Sequence, residues 1–113
     1  MKRVLIADDE PIERMIVTRT IQKYFPEELA VVSAVNGREA VEQFFAENCQ
    51  IALLDIEMPG MNGLEAAEQI RERDKNCSII FLTAFDEFNY AKRAIAVRAM
   101  AVSYTHLRAH ETG

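Results

Sequence analysis

Histidine is almost absent from this 113-residue chain: its two copies, His106 and His110, both fall in the last eight residues. Ser-His-Asp and Cys-His nucleophiles and histidine-rich zinc sites are therefore hard to build from it. Cysteine is as scarce. Cys49 and Cys77 form no CxxC pair and have no further Cys partners, which reads as two ordinary small core or edge residues. Basic residues are outnumbered, 13 Lys and Arg against 18 Asp and Glu for a net charge of −5, so the clustered cations that grip nucleic acid or an anionic membrane are missing. No apolar run approaches bilayer length. The opening MKRVLIADDE offers only Val4 to Ala7 before two aspartates, too short for a signal peptide, and a cytoplasmic location is expected.

What is there is 50% hydrophobic and 27% charged, enough apolar surface for one small folded domain. Four short apolar runs, Val4 to Ala7, Leu29 to Val35, Ile51 to Ile56 and Ser78 to Thr83, predict buried strands. Four segments of helical spacing lie between and after them. The first opens at Pro11, carries Ile12, Met15 and Ile16 toward a core and stops before Pro26. The second follows Asn36-Gly37 with an apolar stripe of Ala40, Val41, Phe44 and Phe45. The third follows Gly60-Met61-Asn62-Gly63 and buries Leu64, Ala67 and Ile70, with Glu68, Arg71 and Glu72 toward water. The fourth spans about Asp86 to Arg98 with Phe88, Ala91 and Ile95 on one face. Strand alternating with helix through short connections predicts a parallel α/β sheet covered on both faces, with chemistry at the carboxyl ends of the strands.

Those ends carry Asp8 and Asp9 after the first strand, Asp55 at the end of the third and Thr83 at the end of the fourth. Two carboxylates about 4 Å apart repel by roughly 4 kcal/mol at an effective dielectric near 20, so a cation or a raised pKa has to relieve them. Oxygen ligands without His or Cys suit Mg²⁺, and a carboxylate beside that ion with a hydroxyl in reach can accept a phosphoryl group. A plainer use of Asp8, Asp9 and Glu10 is to cap the helix that starts at Pro11. Asp55 resists so plain a use, because it ends the apolar run Ile51-Ala52-Leu53-Leu54.

Three segments in register, Leu5-Ile6-Ala7-Asp8-Asp9-Glu10-Pro11, Leu53 through Gly63 with Asp55-Ile56-Glu57-Met58-Pro59-Gly60 at its centre, and Ile79-Ile80-Phe81-Leu82-Thr83-Ala84, strongly resemble the receiver domain of two-component response regulators. The resemblance covers residues 1 to about 100. It implies a flavodoxin-like doubly wound parallel sheet and a phosphoacceptor domain rather than an enzyme. It further implies that Asp55 takes a phosphoryl group from a sensor histidine kinase or phosphotransfer protein. Asp8, Asp9, Asp55 and the Glu57 backbone carbonyl would hold Mg²⁺, with Asp8 acting mostly through a bound water. Thr83 would contact the phosphoryl group and swing inward, small Ala84 would leave it accessible, and Pro59 and Gly60 would shape the loop after the acceptor. The stretch from Phe85 to Ile95 looks like the fourth-helix segment of receivers that control DNA-binding output domains. Lys92 and Arg93 read there as a solvated face, and a phosphorylation-dependent homodimer of the full-length protein is expected.

After the fourth helix the family continues with Gly-Ala, a fifth strand ending in Lys-Pro and a fifth helix, whereas this chain reads Arg98-Ala99-Met100-Ala101-Val102-Ser103 and has no lysine after Lys92. Val102 to Thr112 resembles a reading-frame translation of a transposase adaptor used in sequencing libraries. The expected division is an incomplete receiver at 1–101 and a non-native tail at 102–113, with four strands in the order 2-1-3-4 and the fifth strand and helix missing. Such a chain would be aggregation-prone or partly folded. Two alternatives compete on function. One is a phosphorylation-independent pseudo-receiver, favoured by the missing lysine. The other is an aspartate-nucleophile phosphohydrolase with Glu57 at general-acid spacing, which the Asp pair and Met58-Pro59-Gly60 fit less well.

Overall fold

The computed structural model describes residues 1–83 and 88–103. Among them, strands and helices alternate as β1 (Lys2–Ala7), α1 (Pro11–Tyr24), β2 (Leu29–Ala34), α2 (Gly37–Ala46), β3 (Ile51–Asp55), α3 (Gly63–Arg73), β4 (Ser78–Thr83), α4 (Phe88–Ala96) and β5 (Ala99–Ser103). The five strands form one sheet in the order β2-β1-β3-β4-β5, and every pairing is parallel. This is the flavodoxin-like doubly wound arrangement, whose order reverses between β1 and β3.

The strand count corrects the sequence-based expectation of four. Ala99–Ser103 pairs with β4 from Ile79↔Ala99 to Thr83↔Ser103, so that side of β4 is not an open edge. A run of small and aliphatic residues needs only a neighbouring backbone ladder to become a strand, and the missing Lys-Pro does not prevent that. The strand extends two residues past position 101. The fifth helix and the tail from Tyr104 onward lie outside the described residues.

The sheet divides the apolar side chains into two layers. One holds Leu5, Ala7, Ala34, Ala52, Leu54, Ile79 and Phe81, covered by α2 and α3 through Ala40, Val41, Phe44, Leu64, Ala67 and Ile70. The other holds Val4, Ile6 and Leu82 under Val17 and Ile21 of α1, with Leu53 and Val102 beside them. α2 and α3 start with side-chain caps, Asn36 accepting from the Glu39 amide and Asn62 from the Glu65 amide. At α3 the Glu65 side chain answers back to complete a capping box.

Three side-chain placements differ from the sequence reading. Ile12 and Met15 are 64% and 43% exposed, because α1 rests on the sheet through Val17 and Ile21 and, at about 100° per residue, those two positions stand roughly 140° and 160° round the helix from Val17. Ile95 is 75% exposed, and Val97, just beyond α4, enters the core instead. Phe88 and Ala91, expected beside Ile95, have side chains outside the described residues. Arg71, expected in water, is 8% exposed. Its guanidinium donates to the carbonyls of Val97 at 2.8 Å and Cys77 at 2.7 Å, and more weakly to those of Asp74 and Arg98. An arginine stem covers apolar surface while its fork satisfies the loose carbonyls where α3, β4 and β5 meet. Cys49 and Cys77 are free and buried, as expected of small core residues, and burial pushes both thiols up. Among the described residues no helix is long and apolar enough to cross a membrane.

Candidate acidic site at the strand ends

β1 and β3 are neighbours with Ala7 opposite Leu54, so the next residues along, Asp8 and Asp55, emerge side by side where the strand order reverses. Asp8, Asp9 and Asp55 each present a carboxylate oxygen within 4.8 Å of the others. Asp8 is buried and Asp55 half-buried, while Asp9 is exposed. Asp8 does not cap α1: its Oδ1 accepts the Glu10 amide at 2.9 Å, and α1 begins with no side-chain cap. Arg14, one turn into α1, donates from Nη1 to the Asp8 carbonyl at 2.7 Å and so holds the turn between β1 and α1.

The charges are unbalanced. Burial pushes the Asp8 carboxyl up to about 6, with Asp55 and Asp9 raising it further and hydrogen bonds from the Glu10 amide and to Glu13 opposing. Burial, then the charge of Glu13, pushes Asp55 up to about 6 as well, against hydrogen bonds from the Glu57 amide and with Asp8. Three carboxylates this close leave uncompensated negative charge, which a proton or a cation can relieve.

That donor set fits Mg²⁺. Oxygens about 2.1 Å from one ion stand at most about 4.2 Å apart, so a slight contraction of the three carboxylates encloses it. They have the charge to compensate it, and among the described residues no softer ligand joins them.

Asp8, Asp9 and Asp55 therefore come together as expected. Glu57 follows Asp55 by two residues with its side chain exposed and its amide on the Asp55 carboxylate. Gly60, in the same loop, has φ 71°, the left-handed conformation that favours glycine. Thr83 ends β4 one residue past Leu82, the partner of Asp55, which sets its backbone beside the site. Its side chain, Ala84 and the rest of the β4–α4 connection lie outside the described residues. Lys92 is exposed, and Arg93 forms a 2.7 Å ion pair with Glu68 of α3. Glu13 was not anticipated. Its signal was its place in the first turn of a helix that starts two residues after Asp9, because that turn must overhang the strand ends.

A family model described as the response regulator receiver domain matches residues 4–103. The positive alginate biosynthesis regulatory protein of Pseudomonas aeruginosa is 37% identical over 108 residues, covering 96% of this chain and 43% of that protein. The chemotaxis protein CheY of Thermotoga maritima is 41% identical over 86 residues, covering 76% of this chain and 70% of that one. Among solved structures, the response regulator TrrA of Thermotoga maritima, crystallised in complex with Mg²⁺ and BeF, is 39% identical with a TM-score of 0.79, over 90% of this chain and 86% of that one. The chain spans 43%, 32% and 25% of the length of the first three curated relatives it matches. A match along nearly the whole sheet, on top of three strand-end aspartates at its switch point, establishes that the chain belongs to the receiver domains of two-component response regulators, a family of phosphoacceptor signalling domains.

Proposed function

We propose that Asp55 is the phosphoacceptor of this domain and that Asp8, Asp9, Asp55 and the Glu57 backbone carbonyl hold Mg²⁺ around it. The observation that carries this reading is the convergence of Asp8, Asp9 and Asp55 within 4.8 Å at the strand ends. Bound there, Mg²⁺ supplies the positive charge that offsets the phosphoryl oxygens. The protein's own part is to present Asp55, stripped of its proton, in line with a phosphohistidine. Its Oδ bonds to phosphorus as the N–P bond breaks, and the electron pair leaves with the imidazole. Thr83 contacts the transferred group through its hydroxyl and carries the change toward α4. The donor is a sensor histidine kinase or a phosphotransfer protein in the cytoplasm. The recipient of the signal is an output domain, transcriptional in kind, and the phosphorylated full-length protein pairs with itself. We propose as well that residues 102–113 are a foreign tail, its first two residues pairing as the end of β5, on a receiver at 1–101; sequencing the source DNA across codon 101 with adaptor-free chemistry tests it.

Beryllium fluoride with Mg²⁺ tests the reading on the chain as it stands: amide resonances of Asp55, Glu57 and Thr83 shift in the wild type and stay put in Asp55→Asn. No shift with both reagents present sinks it. A second reading, a binding module that works without phosphorylation, draws support from the absence of any lysine after Lys92. Its signature is Mg²⁺ binding without uptake of phosphate from acetyl phosphate.

A further inference from the structure

The loop that leaves Asp55 is held at both ends by glycines. At its far end the Gly63 amide, in the first turn of α3, donates to the Ile56 carbonyl at 3.0 Å. A Cβ on Gly63 would stand 2.1 Å from the Asp55 carbonyl oxygen, 2.8 Å from its carbon and 3.0 Å from the Ile56 Cα. From outside, the Gly37 amide at the start of α2 donates to the Met61 carbonyl at 3.0 Å. A Cβ on Gly37 would stand 2.2 Å from that oxygen, 2.8 Å from its carbon and 2.9 Å from the Asn62 oxygen. All six atoms are backbone, so no rotamer change relieves the overlap, and the chain must give by about an ångström to restore van der Waals contact. Gly60 is the counterexample within the same loop: its φ is 71°, yet nothing lies within 4 Å of its missing Cβ.

We propose that Gly37 and Gly63 are positioning residues for the acidic site. By letting the first turns of α2 and α3 abut the backbone of residues 55–62, they fix the Asp55 main chain and the height of the Glu57 carbonyl. The start of α2, which supplies no ligand, thereby sets the affinity for the metal. The inference rests on the reading of Asp8, Asp9, Asp55 and the Glu57 carbonyl as a Mg²⁺ site. Gly63 acts on the acceptor directly through the Asp55 carbonyl. Gly37 acts through Met61 and Asn62, which close the loop onto α3. Displacing a supporting group by about an ångström is the scale at which sites lose function.

The test is a Mg²⁺ titration of wild type, Gly37→Ala, Gly63→Ala and Gly60→Ala, each at a temperature where it is folded, with metal-free amide spectra of all four. Gly37→Ala should weaken Mg²⁺ binding by about tenfold or more, the usual effect of disturbing an outer shell. In the metal-free spectrum it should shift the Asp55 and Glu57 amides, which Gly37 does not touch. Gly60→Ala should lower the melting temperature and leave the affinity within about twofold of wild type, because a strained backbone without a clash weakens the loop but does not move the ligands. Should Gly63→Ala fail to fold, Gly37→Ala carries the test alone. A folded Gly37→Ala that binds Mg²⁺ like wild type, with Asp55 and Glu57 amides unmoved, overturns the proposal and leaves both glycines as packing residues. Wild type that binds no Mg²⁺ overturns the metal site itself, a different failure seen before any variant is made.

Discussion

Asp8 and Asp55 stand side by side at the adjoining ends of β1 and β3, their carboxylate oxygens within 4.8 Å, so burial and the crowding of negative charge favour the protonated form of both. Both are raised from 3.8 to about 6. A carboxyl whose folded pKa is raised binds protons that the unfolded chain has already released, so its stabilising contribution is full below about pH 3.8 and is lost as the pH climbs through about 6. In EDTA, the melting temperature should fall across that window by about 4 °C or more. Saturating Mg²⁺ should recover it at pH 7.5 and act weakly at pH 5, where the proton competes. Scanning calorimetry against pH, with and without metal, decides it. A metal-free melting temperature that rises from pH 4 to pH 6.5 contradicts the raised carboxyls.

Asp55→Asn removes one half-buried charge and keeps the shape. The metal-free variant should melt about 4 °C higher than wild type at pH 7.5 and show little further gain with Mg²⁺. Thermal denaturation of the two proteins side by side reads both effects.

Arg71 is a cation whose partners are carbonyls rather than carboxylates. Arg71→Met keeps much of the apolar stem but leaves the buried Val97 and Cys77 carbonyls without their donors, at a cost of about 3 kcal/mol in urea unfolding. Arg71→Lys should recover less than half of that, because a single ammonium cannot reproduce the fork.

Arg98 sits in the turn between α4 and β5 with φ 56°, a left-handed position that normally falls to glycine. Arg98→Gly should stabilise the protein by up to about 1 kcal/mol, although it deletes the bond from Arg98 Nη2 to the Lys75 carbonyl at 2.9 Å. Chemical denaturation measures the sign. A loss greater than that gain would mean the Lys75 contact matters more than the backbone.

Much of this was legible in the residues themselves. Runs such as Ile51 to Asp55 are short, aliphatic and bounded by polar positions, so the first four strands emerge within a residue or two of their ends. The aspartates were legible because they end those runs. Ala99–Ser103 was missed as a strand because its identity lies in the β4 ladder, not in its side chains. Arg71 was misplaced because helical spacing finds the face of a helix but not the three chain ends that meet over it. Ile12 and Met15 read as core because they are apolar, yet α1 packs through Val17 and Ile21 and that choice of face puts the earlier pair in solvent. Gly37 and Gly63 look like ordinary helix-start glycines until the backbone on the far side is seen.

The order of the strands also sets when the acidic cluster comes into being. The β1–β3 pairing joins Val4 to Ile51, while Lys2 meets Leu29, Ile51 meets Ser78 and Ile79 meets Ala99, so the ladder that carries Asp8 and Asp55 closes the longest stretch of chain in the sheet. By length alone that closure costs about 0.5 kcal/mol more than its neighbours, and it needs β1 and β3 to meet with α1, β2 and α2 looped out between them. The cluster should therefore form late on the folding route. A cation that recognises it has little to grip in the transition state, and its stabilisation should be felt as slower unfolding, with the folding rate almost untouched.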